Sequence, residues 1–139
     1  MLTTKGTKDT KPEEWPQCLE EFGQQVVDSA FKVHKELGPG LLESVYETCM
    51  LRELSKRGVS ARRQVPVPIV YDGETLDAAL KLDLLVGGEI IVEIKAVEKI
   101  IPLHQAQLLT YLRLSQKRLG FLINFNVKLI RDGVRRLVL

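Results

Sequence analysis

The chain has almost nothing to staple it together. Only Cys18 and Cys49 are cysteines among 139 residues, and they stand far apart without metal-ligand spacing. That excludes a disulfide framework and a zinc knuckle, and leaves reduced thiols as the expected state. Long hydrophobic runs are also missing: none approaches the roughly 20 residues that cross a bilayer. The opening segment MLTTKGTKDTKPEEWP lacks the apolar centre of a signal peptide. These absences lead to the expectation of a soluble, cytoplasmic protein with no membrane partner. An excess of one charge is absent too, since 20 basic and 18 acidic residues leave a net charge of +2. Such a balance neither demands nor excludes a nucleic-acid partner, because phosphate contacts depend on a local basic face. There is no internal repeat.

What is present is an ordinary globular mixture, 45% hydrophobic and 27% charged. The length suits one domain with a core large enough to need no staples. Residues 1–15, polar and rich in Lys and Thr, are expected to form a flexible leader, and residues 16–139 a single domain. Phe22, Val26, Val27, Ala30, Val33 and Leu37 recur at helical spacing, which predicts a helix over 19–37 that Gly38-Pro39-Gly40 stops. A second helix is expected over about 41–57, with Gly58 as its C-terminal stop.

The period then changes. Residues 64–71 read as a strand that Pro66 and Pro68 confine to a sheet edge. Asp72-Gly73 marks a hairpin turn, and strands are expected over 75–86 and 90–97 around Gly87-Gly88. The run IIVEIKAV is apolar except for Glu93 and Lys95, which suits a central strand covered on both faces. A helix over 103–117, a buried strand over 120–125 and one or two short edge strands around Asp132-Gly133 complete the chain. The order α-α-β-β-β-α-β-β implies an α/β fold of the α+β kind, a mixed central sheet flanked by helices.

Charges inside apolar strands need a reason, because an unpaired buried charge is expensive. Glu93 and Lys95 are two apart and share a strand face. Asp83 interrupts the preceding strand, LKLDLLV, with Lys81 on its face. A two-residue Gly87-Gly88 loop would send Asp83 and Glu93 to opposite faces. An odd-numbered loop such as Val86-Gly87-Gly88 brings them together, and Gly88 suits the left-handed residue that ends such loops, so the odd loop is expected. Two carboxylates around a cavity form a hard-oxygen site for Mg2+ or Mn2+. Lys95 would orient a water or stabilise charge on a phosphate. The bland alternative is a buried Asp-Lys-Glu salt-bridge network. Glu43 opens the second helix, where an acid is favoured, with Tyr46 and Glu47 one turn on. His104, Gln107 and Tyr111 form a polar stripe on the later helix. Asp9-Thr10-Lys11 also matches (D/E)xK, by chance, so the motif gains specificity only from context.

That context resembles the GxxExxY family, a branch of the PD-(D/E)xK nuclease superfamily. The matching segments are GLLESVYE at 40–47, LDLLV at 82–86, VEIKAV at 92–97, HQAQLLTYL at 104–112 and GFLINFNV at 120–127, within roughly residues 23–132. The resemblance implies a restriction-endonuclease-like core of order α-β-β-β-α-β. It also implies Asp83 and Glu93 as metal ligands with Glu43 assisting, Lys95 as the active-site lysine, and Gln107 and Tyr111 as a QxxxY element. The expected activity is Mg2+-dependent hydrolysis of DNA or RNA. Tyr46, His104, Arg62 and Arg63 are candidate substrate contacts, and Lys117-Arg118 and Arg135-Arg136 further phosphate contacts. Two alternatives are a non-catalytic nuclease-fold module that binds nucleic acid or protein, and an accessory protein with no nucleic-acid role. A homodimer is one arrangement that would let so small a domain grip a duplex.

Overall fold

A computed structural model describes residues 17–139, the side chains of Ala78 and Ala79 excepted; the expected leader lies outside the described residues. Two helices come first, α1 (Gln17–Leu37) and α2 (Glu43–Lys56). Three strands follow: β1 (Ala61–Tyr71), β2 (Glu74–Val86) and β3 (Ile90–Lys95). Then come α3 (Pro102–Ser115), β4 (Leu119–Asn124), a short 3-10 turn (Ile130–Asp132) and β5 (Val134–Val138). The sequence order of elements is the expected one, and the last segment supplies one edge strand. The fold is α+β and consistent with a restriction-endonuclease-like core.

The sheet runs β1-β2-β3-β4-β5, and only β3 and β4 are parallel. Proline-bearing β1 lies at an edge, where missing N–H donors cost least. α2 ends with Gly58 at φ +76°, whose N–H donates to Ser55 O while Val59 N–H donates to Leu54 O. These two bonds satisfy carbonyls that the last helical turn leaves free.

Two cores cover the sheet. Val26, Ala30 and Val33 of α1 and Tyr46, Met50 and Leu54 of α2 pack on Ile90, Val92 and Ile94. Leu108 and Leu112 of α3 pack on Leu85, Ile91 and Leu122 on the opposite face. Alternation along β3 therefore turns Glu93 and Lys95 towards the α3 side. Tyr46 is fully buried and stacks on Phe125 with ring centroids 4.5 Å apart, a pairing that adds about 0.5–1.5 kcal/mol beyond burial.

The loop between β2 and β3 decides the site. Val86 pairs with Ile90, which leaves the odd-numbered loop Gly87-Gly88-Glu89, one residue further along than the expected Val86-Gly87-Gly88. Both glycines have positive φ, and a Cβ on Gly87 would meet the Phe22 ring at 2.6 Å. The β2–β3 ladder holds only through Val86↔Ile90, Leu85↔Ile91 and Leu84↔Val92. Beyond it β2 leaves with β1 as a projecting hairpin, while β3 continues against β4.

Candidate metal and nucleic-acid site

The fork between β2 and β3 is where the acidic side chains gather. One step past the last ladder pair, the register sets Asp83 across from Glu93. Each carboxylate replaces a missing ladder acceptor on the other strand. Asp83 N–H donates to Glu93 Oε2 at 3.0 Å, and Ile94 N–H donates to Asp83 Oδ2 at 2.9 Å. These bonds fix the plane of each carboxylate with one oxygen and leave its second oxygen for another partner.

α2 reaches the fork with its first residue. Glu43 is exposed, and its Oε2 accepts the Ala96 N–H at 3.2 Å, tying the start of the helix to the end of β3. From below, buried Asn124 holds the same turn: its amide donates to Val97 O at 2.9 Å, and its carbonyl accepts Val97 N–H at 3.0 Å. The segment that follows Lys95 is thus held from two sides.

Charge at the fork is out of balance. Glu93 is buried at 7% exposure, and burial, reinforced by the charge of Asp83, pushes its pKa up to about 8. Asp83 is raised as well, first by burial and then by Glu43, against the lowering effect of the Ile94 N–H. Lys95 favours the charged form of both acids, yet no ion pair within 4 Å ties it to either one among the described residues. A closed Asp-Lys-Glu salt-bridge network is therefore not what the fork contains.

Two facing hard-oxygen carboxylates with no ion pair to a base fit a divalent cation that keeps open positions for water and substrate. Among the described residues no group of three or more His, Cys, Asp or Glu side chains forms a ready-made cage. Glu43 holds Ala96 through Oε2, and its charge also bears on Asp83. The fit is that of an open two-carboxylate site rather than an enclosed structural one.

α3 supplies the outer wall. The Tyr111 phenol, packed on the core under α3, is pushed up by burial and then by the charges of Glu93 and Asp83. Gln107 is exposed one turn earlier on the same face. His104 Nδ1 accepts the Ile101 N–H at 3.1 Å and so caps the start of α3. Two surface grooves, of about 310 and 480 Å3, lie beside α1 and touch neither Asp83 nor Glu93.

Several expected contacts fall elsewhere. Tyr46 has no exposed surface, and its hydroxyl donates to Gly38 O at 2.7 Å and accepts Leu41 N–H at 3.1 Å, so it clamps the glycine loop and cannot meet substrate. Arg63 is committed to Glu47, 2.7 Å away, while Arg62 is exposed. Arg136 pairs with Glu20, and Arg135 donates to the carbonyls of Asp132 and Val134. Lys81 was expected on the face of Asp83. The strand breaks alternation there, since Leu82 and Leu84 belong to opposite cores, and Lys81 lies exposed beyond the break. Sequence reasoning missed Gln64 and the fixed role of Glu47: Gln64 donates to Glu47 Oε1 at 2.9 Å.

No helix among the described residues is long and apolar enough to cross a membrane. No curated protein and no solved structure matches the chain significantly. The sequence pattern of one family does match, over residues 20–137: the chain belongs to the PD-(D/E)XK nuclease superfamily.

Proposed function

We propose that the chain hydrolyses phosphodiester bonds in DNA or RNA with the help of Mg2+ or Mn2+. The observation that carries this reading is the placement of Asp83 and Glu93 across one rung of the fork, with Lys95 beside them and unpaired with either. Asp83 and Glu93 would hold the ion, with Glu43 reaching it directly or through water. A bound divalent ion supplies Lewis acidity and a water of lowered pKa. Lys95 orients the attacking water and offsets charge that develops on the phosphate. Tyr111 and Gln107 line the side from which a strand would approach and position it. His104, at the start of α3, and exposed Arg62 are the remaining candidates for phosphate contact. The narrower resemblance to the GxxExxY branch supports the same assignment.

The test is a panel of labelled DNA and RNA substrates, single- and double-stranded, with and without Mn2+. Wild type is expected to cleave at least one of them, and Glu93→Ala and Lys95→Ala to lose that cleavage. Equal cleavage by all three proteins would remove the mechanism.

One observation favours a second reading, a nuclease-fold module that binds nucleic acid or protein without cleaving: the described residues form no three-ligand cage. Metal titration separates the two. Mn2+ binding that disappears in Asp83→Ala supports the enzyme, and binding of nucleic acid without any response to metal supports the module. Sedimentation with and without a duplex tests whether two copies act together.

A further inference from the structure

The last part of α1 and the 3-10 turn after β4 enclose a groove of about 480 Å3 that the fork does not use. α1 supplies Phe31, His34 and Lys35, which share one helical face, and the turn supplies Leu129, Ile130 and Arg131. His34 and Ile130 are buried, and the His34 Nε2–H donates to Val127 O at 2.8 Å, tying the helix to the turn. Phe31 and Leu129 remain 44% and 47% exposed. Lys35 and Arg131 are exposed as well, and neither has an ion pair among the described residues. No acid is among the described residues that line the groove. Unpaired cations beside exposed apolar side chains call for a ligand that is anionic and also has an apolar face.

The groove and the fork share one edge of the sheet. β3 and β4 are parallel, so both end on it. Just past β3, Ala96 is bonded to Glu43, and Val97 to Asn124 and Asn126. Val127, next along, is bonded to His34 of the groove, and exposed Lys128 follows it.

We propose that this groove holds an unpaired nucleic-acid strand that continues from the fork across the shared edge, with a base stacked on Phe31 and phosphates at Lys35 and Arg131. The proposal rests on the nucleic-acid reading of the fork and narrows its substrate to one with a single-stranded segment. A duplex keeps its bases stacked inside and offers the groove only phosphates, which leaves Phe31 and Leu129 without a partner. An unpaired strand offers both phosphates and base faces, and an aromatic ring beside cations is how proteins hold such strands without reading their sequence.

Fluorescence anisotropy with labelled oligothymidylate, oligouridylate and a blunt duplex tests it, in EDTA so that binding is read apart from metal-dependent cleavage. Wild type should bind at least one of the two single strands. Phe31→Ala should lower that affinity about 10-fold, the scale of one lost base stack, and leave duplex binding unchanged. The double variant Lys35→Ala/Arg131→Ala should also bind more weakly, and its log–log salt dependence should flatten by about 0.7 for each lost phosphate contact. All three side chains are exposed, so melting temperatures should hold. If Phe31→Ala does not fold, the double variant decides alone. Wild-type affinity and salt slope in the variants overturn the proposal, and cleavage that persists in them leaves the hydrolytic reading standing. Wild type that binds neither single strand overturns it too. Poly-glutamate that displaces the strand and is itself weakened by Phe31→Ala overturns the choice of a nucleic acid as occupant. Strand binding that the variants weaken, without cleavage of any substrate in Mn2+, supports the proposal and removes the hydrolytic reading alone.

Discussion

Glu47 and Glu93 are buried to nearly the same degree, 6% and 7% exposed, yet they solve the problem of a buried carboxylate in different ways. Glu47 has a guanidinium at 2.7 Å and an amide at 2.9 Å. Glu93 has one backbone N–H and a second acid, and its pKa is driven up to about 8. Burying a charge costs several kcal/mol unless a partner offsets it. The first glutamate therefore belongs to the structure, and the second is where, in the proposed function, a cation would supply the missing positive charge. A buried carboxyl whose pKa is driven up by burial and a second acid is the kind of group that clusters at functional sites.

Substitutions at the two glutamates should have opposite consequences. The largest effect is on activity: Glu93→Ala is expected to lower metal-dependent cleavage by at least on the order of 10²-fold, the scale of losing one group that stabilises developing charge. Substrate cleavage under single-turnover conditions checks it, and a Glu47→Ala loss of equal size would dissolve the contrast. Stability comes next. Glu47→Ala should cost about 1–2 kcal/mol, the usual range for a hydrogen bond to a charged group discounted because Arg63 is half-exposed. Thermal melting should show a fall of several degrees at every pH.

The pH dependence of the metal-free protein sharpens the same comparison. Folded Glu93 keeps its proton up to about pH 8, whereas the unfolded chain releases it near the ordinary value of 4.5. The folded state thus binds the proton more tightly, so stability is full below about 4.5 and is lost as pH rises through about 8. Asp83, also raised, acts in the same direction. The metal-free melting temperature should fall across that window, and saturating Mn2+ should remove most of the fall. Glu93→Gln should flatten the curve, and a metal-free protein as stable at pH 9 as at pH 5 would contradict the assignment. The smallest effect is Tyr111→Phe, which keeps the ring and loses the hydroxyl. Cleavage should weaken only a few-fold, with Mn2+ affinity unchanged, as a strand-positioning role requires.

Much of this was legible in the sequence, for reasons that differ by element. The two helices, edge strand β1 and central β3 followed from periodicity, proline and apolar runs, all of which act locally. Glu93 and Lys95 stood out because charges inside IIVEIKAV have few structural uses. Their meeting with Asp83 depended on one loop, and parity alone required an odd number of residues, although the loop sits one residue later than expected. Gln64 left no such trace. Nothing in the string RRQVP announces a left-handed glutamine whose amide is held by Glu47 of another element. Tyr46 misled for a related reason: its helical face is shared with Glu43, but the glycine loop folds back over its hydroxyl and seals it in. Face and period are local properties, whereas exposure is decided by what the rest of the chain lays on top.

The most direct measurement is calorimetric titration of metal-free protein with Mn2+ at pH 7, repeated in two buffers of different ionisation enthalpy. A cation that replaces the proton on Glu93 should bind at one site and release about one proton per ion. Glu93→Gln should bind far more weakly and release none. No binding heat, or heats identical in both buffers for wild type, would contradict the claim that Asp83 and Glu93 form a cation site.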